Sequence, residues 1–196
     1  FEGDSARAGF RAARNPQTQA AYMLRGVILN VTGLTPTKIM DNKELSDIIT
    51  IIGLQWGQKN DVSKLNFHKI VIATDADYDG SKIAGLLLAF FNLFPELYDA
   101  GMICRCITPI ITATKGTDVQ RFFKLEDFRK KESSLKGYKI KYAKGLGSSD
   151  NLEYKEVLQH PILQYFKKDK LADNNFRLWF GKNIAKERKN ILEIDK

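Results

Sequence analysis

Lys69-Ile70-Val71-Ile72-Ala73-Thr74-Asp75-Ala76-Asp77-Tyr78-Asp79-Gly80 reads first as a strand and then as a turn. The opening six residues form a short β-branched apolar run, which predicts a strand buried on both faces. Ile83, Leu86, Leu87, Phe90 and Phe91 follow at the spacing of an apolar helical stripe. The order is strand, acidic loop, helix, and ligands of open α/β sheets collect at the carboxyl ends of strands. Asp75, Asp77 and Asp79 fall within that loop, and carboxylates so close repel one another unless a cation or hydrogen-bond donors compensate. A divalent ion is the simplest compensation, and all-oxygen donors favour Mg²⁺ over zinc or copper. A calcium EF-hand loop opens with the same Asp-x-Asp-x-Asp-Gly, but it requires a bidentate Glu where this chain has Leu86, and it follows a helix rather than a strand. On these residues alone, a solvated acidic turn without a metal stays open.

Phe1-Glu2-Gly3-Asp4-Ser5-Ala6 supplies a second acidic motif. Phe1 reads as the last residue of a strand, so the chain is expected to be a piece of a longer polypeptide. Glu2 then stands at a strand end, Gly3 permits a tight turn, and a helix capped by Asp4 or Ser5 runs through Ala13, offering free amides to an anion. Taken singly, this motif reads as a helix cap with a spare Glu; the pair of motifs points to a metal.

Elsewhere, Leu45, Ile48, Ile49 and Ile52 predict a helix over 42–54. Residues 102–114 and 119–125 read as a strand pair about the Lys115-Gly116-Thr117-Asp118 turn, followed by a short helix over 126–131 and a strand over 138–142. Beyond Asp150 the pattern is helical. The expected class is α/β, a mostly parallel sheet flanked by helices with a helical C-terminal tail.

Length and charge bound the function. At 196 residues, 43% apolar and 28% charged, the chain buries a real core and is not a disordered tail. Its longest apolar stretch, residues 84–91, is too short to span a bilayer, so no membrane role is expected. The net charge is +8, and it is segregated. Residues 5–40 hold five basic residues and no acidic one, and residues 115–144 hold ten basic against four acidic. Such segregation suits a surface that grips phosphates beside a carboxylate cluster that holds a cation, with solvated helix faces as the alternative. Cys104 and Cys106 lie two apart in an apolar run and are expected to be packing residues in a reducing compartment, since neither a disulfide nor zinc spacing fits.

Glu2-Gly3-Asp4-Ser5-Ala6 together with Asp-x-Asp-x-Asp-Gly after an apolar strand resembles the Toprim domain, the Rossmann-like metal-binding fold of topoisomerases, primases and some nucleases. Leu24-Arg25-Gly26-Val27-Ile28-Leu29-Asn30-Val31 is similar to the Leu-Arg-Gly-Lys-x-Leu-Asn-Val segment of type IIA DNA topoisomerases, and Lys144-Gly145-Leu146-Gly147 to their Lys-Gly-Leu-Gly motif. A helix over 180–192 more weakly resembles their closing segment. The resemblance implies the Toprim part of an ATPase-bearing subunit of the gyrase B, topoisomerase IV or phage type, with a Toprim domain at 1–148 and a helical extension at 149–196. The short insert between Asn30 and Lys69 points toward a bacterial or phage-like member. Three positions depart from the pattern: Val27 replaces a Lys, Lys82 a His, and Ala84 a basic residue. Two phosphate donors are thereby lost, while the acids are intact.

The resemblance further implies a mechanism. A tyrosine on a breakage-reunion subunit attacks a DNA phosphodiester with Mg²⁺ assistance. Glu2 and Asp75 would hold the catalytic ion, Asp75 and Asp77 a second, and Asp79 would support them. Glu2 would also carry a proton, and Arg25, Lys82, Lys144 and, more weakly, Arg14 would contact phosphates. The implied partners are double-stranded DNA, the breakage-reunion subunit and an ATPase domain that uses ATP, in a dimeric or heterotetrameric assembly. The implied location is the cytoplasm of a bacterial or phage-infected cell, or the nucleus for a eukaryotic member. None of the seven tyrosines follows an Arg as the family's nucleophile does, so the chain alone is expected to cleave nothing. A Toprim nuclease or primase and a non-catalytic DNA-binding scaffold are the competing readings.

Overall fold

The computed structural model describes residues 1, 5–75, 77–142, 155 and 158–194. In chain order the elements are α1 (Ser5–Ala13), α2 (Pro36–Met40), α3 (Lys43–Ile52), β1 (Ile70–Ile72), α4 (Tyr78–Phe91), α5 (Pro95–Asp99), β2 (Ile103–Ile107), β3 (Ile111–Lys115), β4 (Asp118–Phe122), α6 (Leu125–Lys131), β5 (Lys139–Tyr142), β6 (Ile162–Tyr165), α7 (Ala172–Phe180) and α8 (Ala185–Ile194). The strands form two small sheets, ordered β1-β2-β6 and β4-β3-β5. The chain divides into two units: Phe1–Gly26, Ala73–Ser81 and Arg105–Gln164 make the first, and Val27–Ile72, Lys82–Cys104 and Tyr165–Lys196 the second.

In the first unit, β3 pairs antiparallel with β4, from Ile111↔Phe122 to Lys115↔Asp118, and with β5, from Ile111↔Tyr142 to Thr114↔Lys139. The hairpin closes at the expected turn, where Gly116 takes φ +60°, a conformation open to glycine at little cost. Alternation along β3 sends Ile111 and Ala113 to one face, where they meet Phe122, Phe128 of α6 and Leu135. Phe122 and Phe128 pack edge-on with ring centroids 5.4 Å apart. Both pairings of this sheet are antiparallel. The expected strand over 102–114 is two strands, β2 and β3, assigned to different sheets. Pro109 stands between them and has no N–H to give a ladder, which explains the break.

In the second unit, α3 follows its sequence signals closely. Asn42 caps it by accepting the Leu45 N–H at 3.0 Å, Gly53 closes it, and Leu45, Ile48, Ile49 and Ile52 are buried. The α4 stripe Ile83, Leu86, Leu87, Phe90 and Phe91 is buried as its spacing predicts. β1 differs from expectation: it is an edge of its sheet, and Val71 is 41% exposed rather than enclosed on both faces. Two further differences lie in the C-terminal stretch read as helical. Ile162–Tyr165 is a strand, and the helix expected over 180–192 begins at Ala185, because Phe180 ends α7 and Asn183 turns the chain through a left-handed φ of 61°. The expected domain boundary at 148/149 falls outside the described residues.

Cys104 and Cys106 are both buried and form no disulfide, in keeping with a packing role, and burial pushes the Cys104 thiol up. No described helix is long and apolar enough to cross a membrane.

One buried carboxylate braces the second unit. Glu96, 8% exposed on α5, accepts from the Asn60 backbone N–H at 3.0 Å and from Asn60 Nδ2 at 2.7 Å, and Asn60 Oδ1 in turn accepts from the Gln55 N–H at 2.6 Å. Burial pushes the Glu96 carboxyl up, but the two Asn60 donors outweigh it and hold the group below the ordinary carboxylate range. A folded-state value below the unfolded one adds stability above the unfolded value and loses it as pH falls through the folded one. Glu96→Ala is expected to cost about 1–3 kcal/mol near neutrality, because it leaves the buried Asn60 backbone N–H unmet, while Asn60 Nδ2 keeps the Gln55 and Gln58 carbonyls. Urea titrations of parent and variant should converge only as the pH falls through and below the ordinary carboxylate range; a gap that persists in acid would show that lost packing, not the charge, sets the effect.

Candidate metal centre

The acidic loop leaves β1 through Ala73 and Thr74, both buried, and passes from half-buried Asp75 to exposed Asp77 and Asp79. Asp77 caps α4. Its Oδ1 accepts the Gly80 N–H at 2.8 Å and its carbonyl accepts the Ser81 N–H at 3.0 Å. Gly80 lies so close to the strand end that a Cβ there would stand 2.2 Å from the Asp75 carbonyl oxygen and 2.8 Å from the Asp75 nitrogen. Only glycine fits that approach. From β2, Arg105 Nη2 donates to the Asp75 carbonyl at 3.2 Å and to Thr74 Oγ1 at 3.4 Å.

Phe1, the first residue of the other acidic motif, packs near this strand end. Its nitrogen donates to the Tyr22 carbonyl at 2.9 Å, and its carbonyl accepts the Leu24 N–H at 2.8 Å. Its ring lies 4.9 Å from that of Phe10, centroid to centroid. With Ala13, Leu158 and Leu163, Phe1 packs against Ala73 and Cys106. The residue that precedes Glu2 thus shares a small core with the residue two before Asp75. Glu2 itself, like Lys144, lies outside the described residues.

Of the remaining sequence candidates, Arg14 is half-buried, and its Nη1 donates to the Gln19 carbonyl at 2.6 Å, closing the turn after α1. Arg25 is exposed just after Leu24, and Lys82 is exposed on α4 three positions after Asp79. Among the described residues, no group of three or more His, Cys, Asp or Glu stands close enough to hold a metal. Asp75 and Asp77 lie in the loop and Asp79 in the first turn of α4, and one oxygen of Asp77 is taken up by its own helix. Their donors are nonetheless carboxylate oxygens only, and Cys106 is turned into the core of the same unit, so the chemistry suits a hard divalent cation rather than zinc.

Two features escaped the sequence reading. Arg105 was available as a signal, a lone cation in the apolar run Ile103-Cys104-Arg105-Cys106-Ile107, but its target depends on where β2 lies against the loop. Tyr78, between two of the acids, is 95% exposed.

Comparison with known proteins places this arrangement. The Toprim domain family matches residues 1–107, and the C-terminal associated domain of TOPRIM matches residues 106–195. The chain belongs to the Toprim family. Toprim relatives include DNA topoisomerase 2 of Plasmodium falciparum, 34% identical over 98% of this chain and 15% of that protein. The gyrase B protein of Staphylococcus epidermidis is also 34% identical, over 98% of this chain and 31% of its own length. The crystal structure of the Plasmodium falciparum topoisomerase II DNA-binding, cleavage and re-ligation domain superposes with a TM-score of 0.82 at 33% identity, covering 96% of this chain and 27% of that one. The resemblance drawn from the sequence motifs therefore holds, both for the Toprim fold and for the type IIA topoisomerases as its homologues. This Toprim chain spans less than a third of either named relative.

Proposed function

We propose that this chain is the metal-bearing part of the DNA gate of a type IIA topoisomerase, an ATP-driven enzyme that passes one duplex through a reversible break in another. The observation that carries the proposal is the packing of Phe1 on Ala73, which sets the chain entering Glu2 beside the chain entering Asp75. Glu2 and Asp75 would hold one Mg²⁺, Asp75 and the outward oxygen of Asp77 a second, and Asp79 would add its charge nearby. When bound, Mg²⁺ supplies charge neutralisation at the attacked phosphate and eases departure of the 3′ oxygen. Glu2 would also carry a proton for that oxygen. Arg25, Lys82 and Lys144 would hold phosphates, and Arg14 would do so more weakly, since its guanidinium already serves the Gln19 carbonyl.

The nucleophile comes from elsewhere. A tyrosine on a breakage-reunion subunit or domain attacks the phosphodiester, and an ATPase domain drives strand passage, in a dimeric or heterotetrameric assembly wherever the cell keeps its DNA, the cytoplasm in a bacterium. In the assembled enzyme, a single turnover quenched with detergent should leave protein covalently attached to the DNA 5′ end. Free 5′ ends would identify a nuclease instead, and relaxation of supercoiled DNA by the isolated chain would also defeat the proposal. The basic segments add a separate expectation: if about five phosphates are neutralised, log affinity should fall against log salt with a slope of about −4 to −5. A flat response in a filter-binding series would remove DNA contact from the basic segments.

A further inference from the structure

We propose that Arg105 is the positioning residue of the metal loop, holding the main chain at Asp75 so that the loop's carboxylates are presented to the ion already in place. The proposal rests on the Mg²⁺ reading above and deepens it.

The geometry is specific. One nitrogen, Nη2, spans the two last residues of the strand end, giving to the Thr74 hydroxyl at 3.4 Å and to the Asp75 carbonyl at 3.2 Å. The same carbonyl faces the Gly80 Cα, where a Cβ would lie 2.2 Å away. Asp75 is thus held from the helix side by close contact and from the strand side by a charged donor. Arg105 is half-buried in a strand whose neighbours Ile103, Cys104 and Cys106 are buried. A guanidinium in such surroundings is costly unless its donors are used, and a charged donor makes a stronger bond to a carbonyl than a neutral one. Groups that orient metal ligands from one bond away typically alter metal affinity by about 10–100-fold when removed.

The test is a Mg²⁺ titration of the complete enzyme by calorimetry, run beside the Mg²⁺ dependence of DNA cleavage. Arg105→Ala should raise the half-saturating Mg²⁺ about tenfold in both measurements, leave cleavage at saturating Mg²⁺ near the parent rate, and leave DNA binding in EDTA unchanged. Arg105→Lys, which keeps a charged donor, should recover most of the affinity. Unaltered or tighter Mg²⁺ binding by Arg105→Ala would overturn the proposal, tighter binding because it would mark Arg105 as a competitor of the ion. Should the Ala variant fail to fold, Arg105→Gln decides: weakened Mg²⁺ binding with the parent's unfolding temperature in EDTA supports positioning, and parental Mg²⁺ binding refutes it. Asp75→Asn keeps the two questions apart. If that variant binds Mg²⁺ undiminished, the metal site itself has been misplaced; if it loses Mg²⁺ while Arg105→Ala does not, only the role of Arg105 falls.

Discussion

Gly80→Ala is expected to lower Mg²⁺-dependent DNA cleavage by the enzyme that carries this chain about a hundredfold, although it touches no charge. The added methyl would stand 2.2 Å from the Asp75 carbonyl oxygen and 2.8 Å from the Asp75 carbonyl carbon and nitrogen, and these are main-chain atoms that no rotamer change can move aside. The loop has to open. Overpacking of this kind costs about 1–3 kcal/mol, which an otherwise sound fold survives, while a displacement of about 1 Å at a catalytic group costs about a hundredfold in rate. The variant should therefore stay folded by circular dichroism, bind DNA in EDTA like the parent, and yield about a hundredfold fewer covalent complexes. Parental cleavage by Gly80→Ala would show that Asp75 does not work from the place it occupies in this structure.

Neutralising the acids without changing their shape should be more damaging to the chemistry and gentler on the fold. Asp75→Asn and Glu2→Gln each remove a proposed ligand, and metal stabilisation of transition-state charge is worth several kcal/mol, so cleavage should fall about a thousandfold at about 4 kcal/mol. Asp77 allows the cleaner comparison, since its Oδ1 also caps α4 by accepting the Gly80 N–H. Asn caps a helix as well as Asp does, so Asp77→Asn should lose cleavage with the helix intact, whereas Asp77→Ala should lose cleavage and about 1 kcal/mol of stability. If Asp77→Asn cleaves normally, the capping bond is all that Asp77 contributes. If Glu2→Gln leaves strand passage untouched, the chain is a scaffold rather than a catalyst.

Sequence legibility followed the range of the forces involved. α3 was readable to within a residue or two because stripe, cap and stop are local: Asn42, the Leu45–Ile52 periodicity and Gly53 lie in one short window. The β3–β4 hairpin was readable for the same reason, from Gly116 between two β-rich runs. The single strand expected over 102–114 is divided because Pro109 lies inside its apolar run and has no N–H to give a ladder. Ile162–Tyr165 was missed because four residues carry no period of their own; what makes them a strand is sheet pairing, such as that seen just beyond, where the Phe166 N–H donates to the Ile103 carbonyl at 3.0 Å. At the candidate site, the acids could be named from their spacing and from family resemblance. That Asp77 spends an oxygen on its own helix, and that Arg105 reaches the Asp75 carbonyl, depends on contacts that cross about thirty residues of chain in the second case and leaves no pattern in the letters.

The interleaving of the two units bears on how this region can be taken apart. The polypeptide changes unit after residues 26, 72, 81, 104 and 164, so no single cut liberates either one. The two matched family regions adjoin at residues 106–107, a tempting place to split a gene. A split there would leave Ala73 and Cys106 on one product and Leu158 and Leu163, which pack on them, on the other. Two stretches that look like separate modules by family resemblance are, for expression and for inheritance, one indivisible piece.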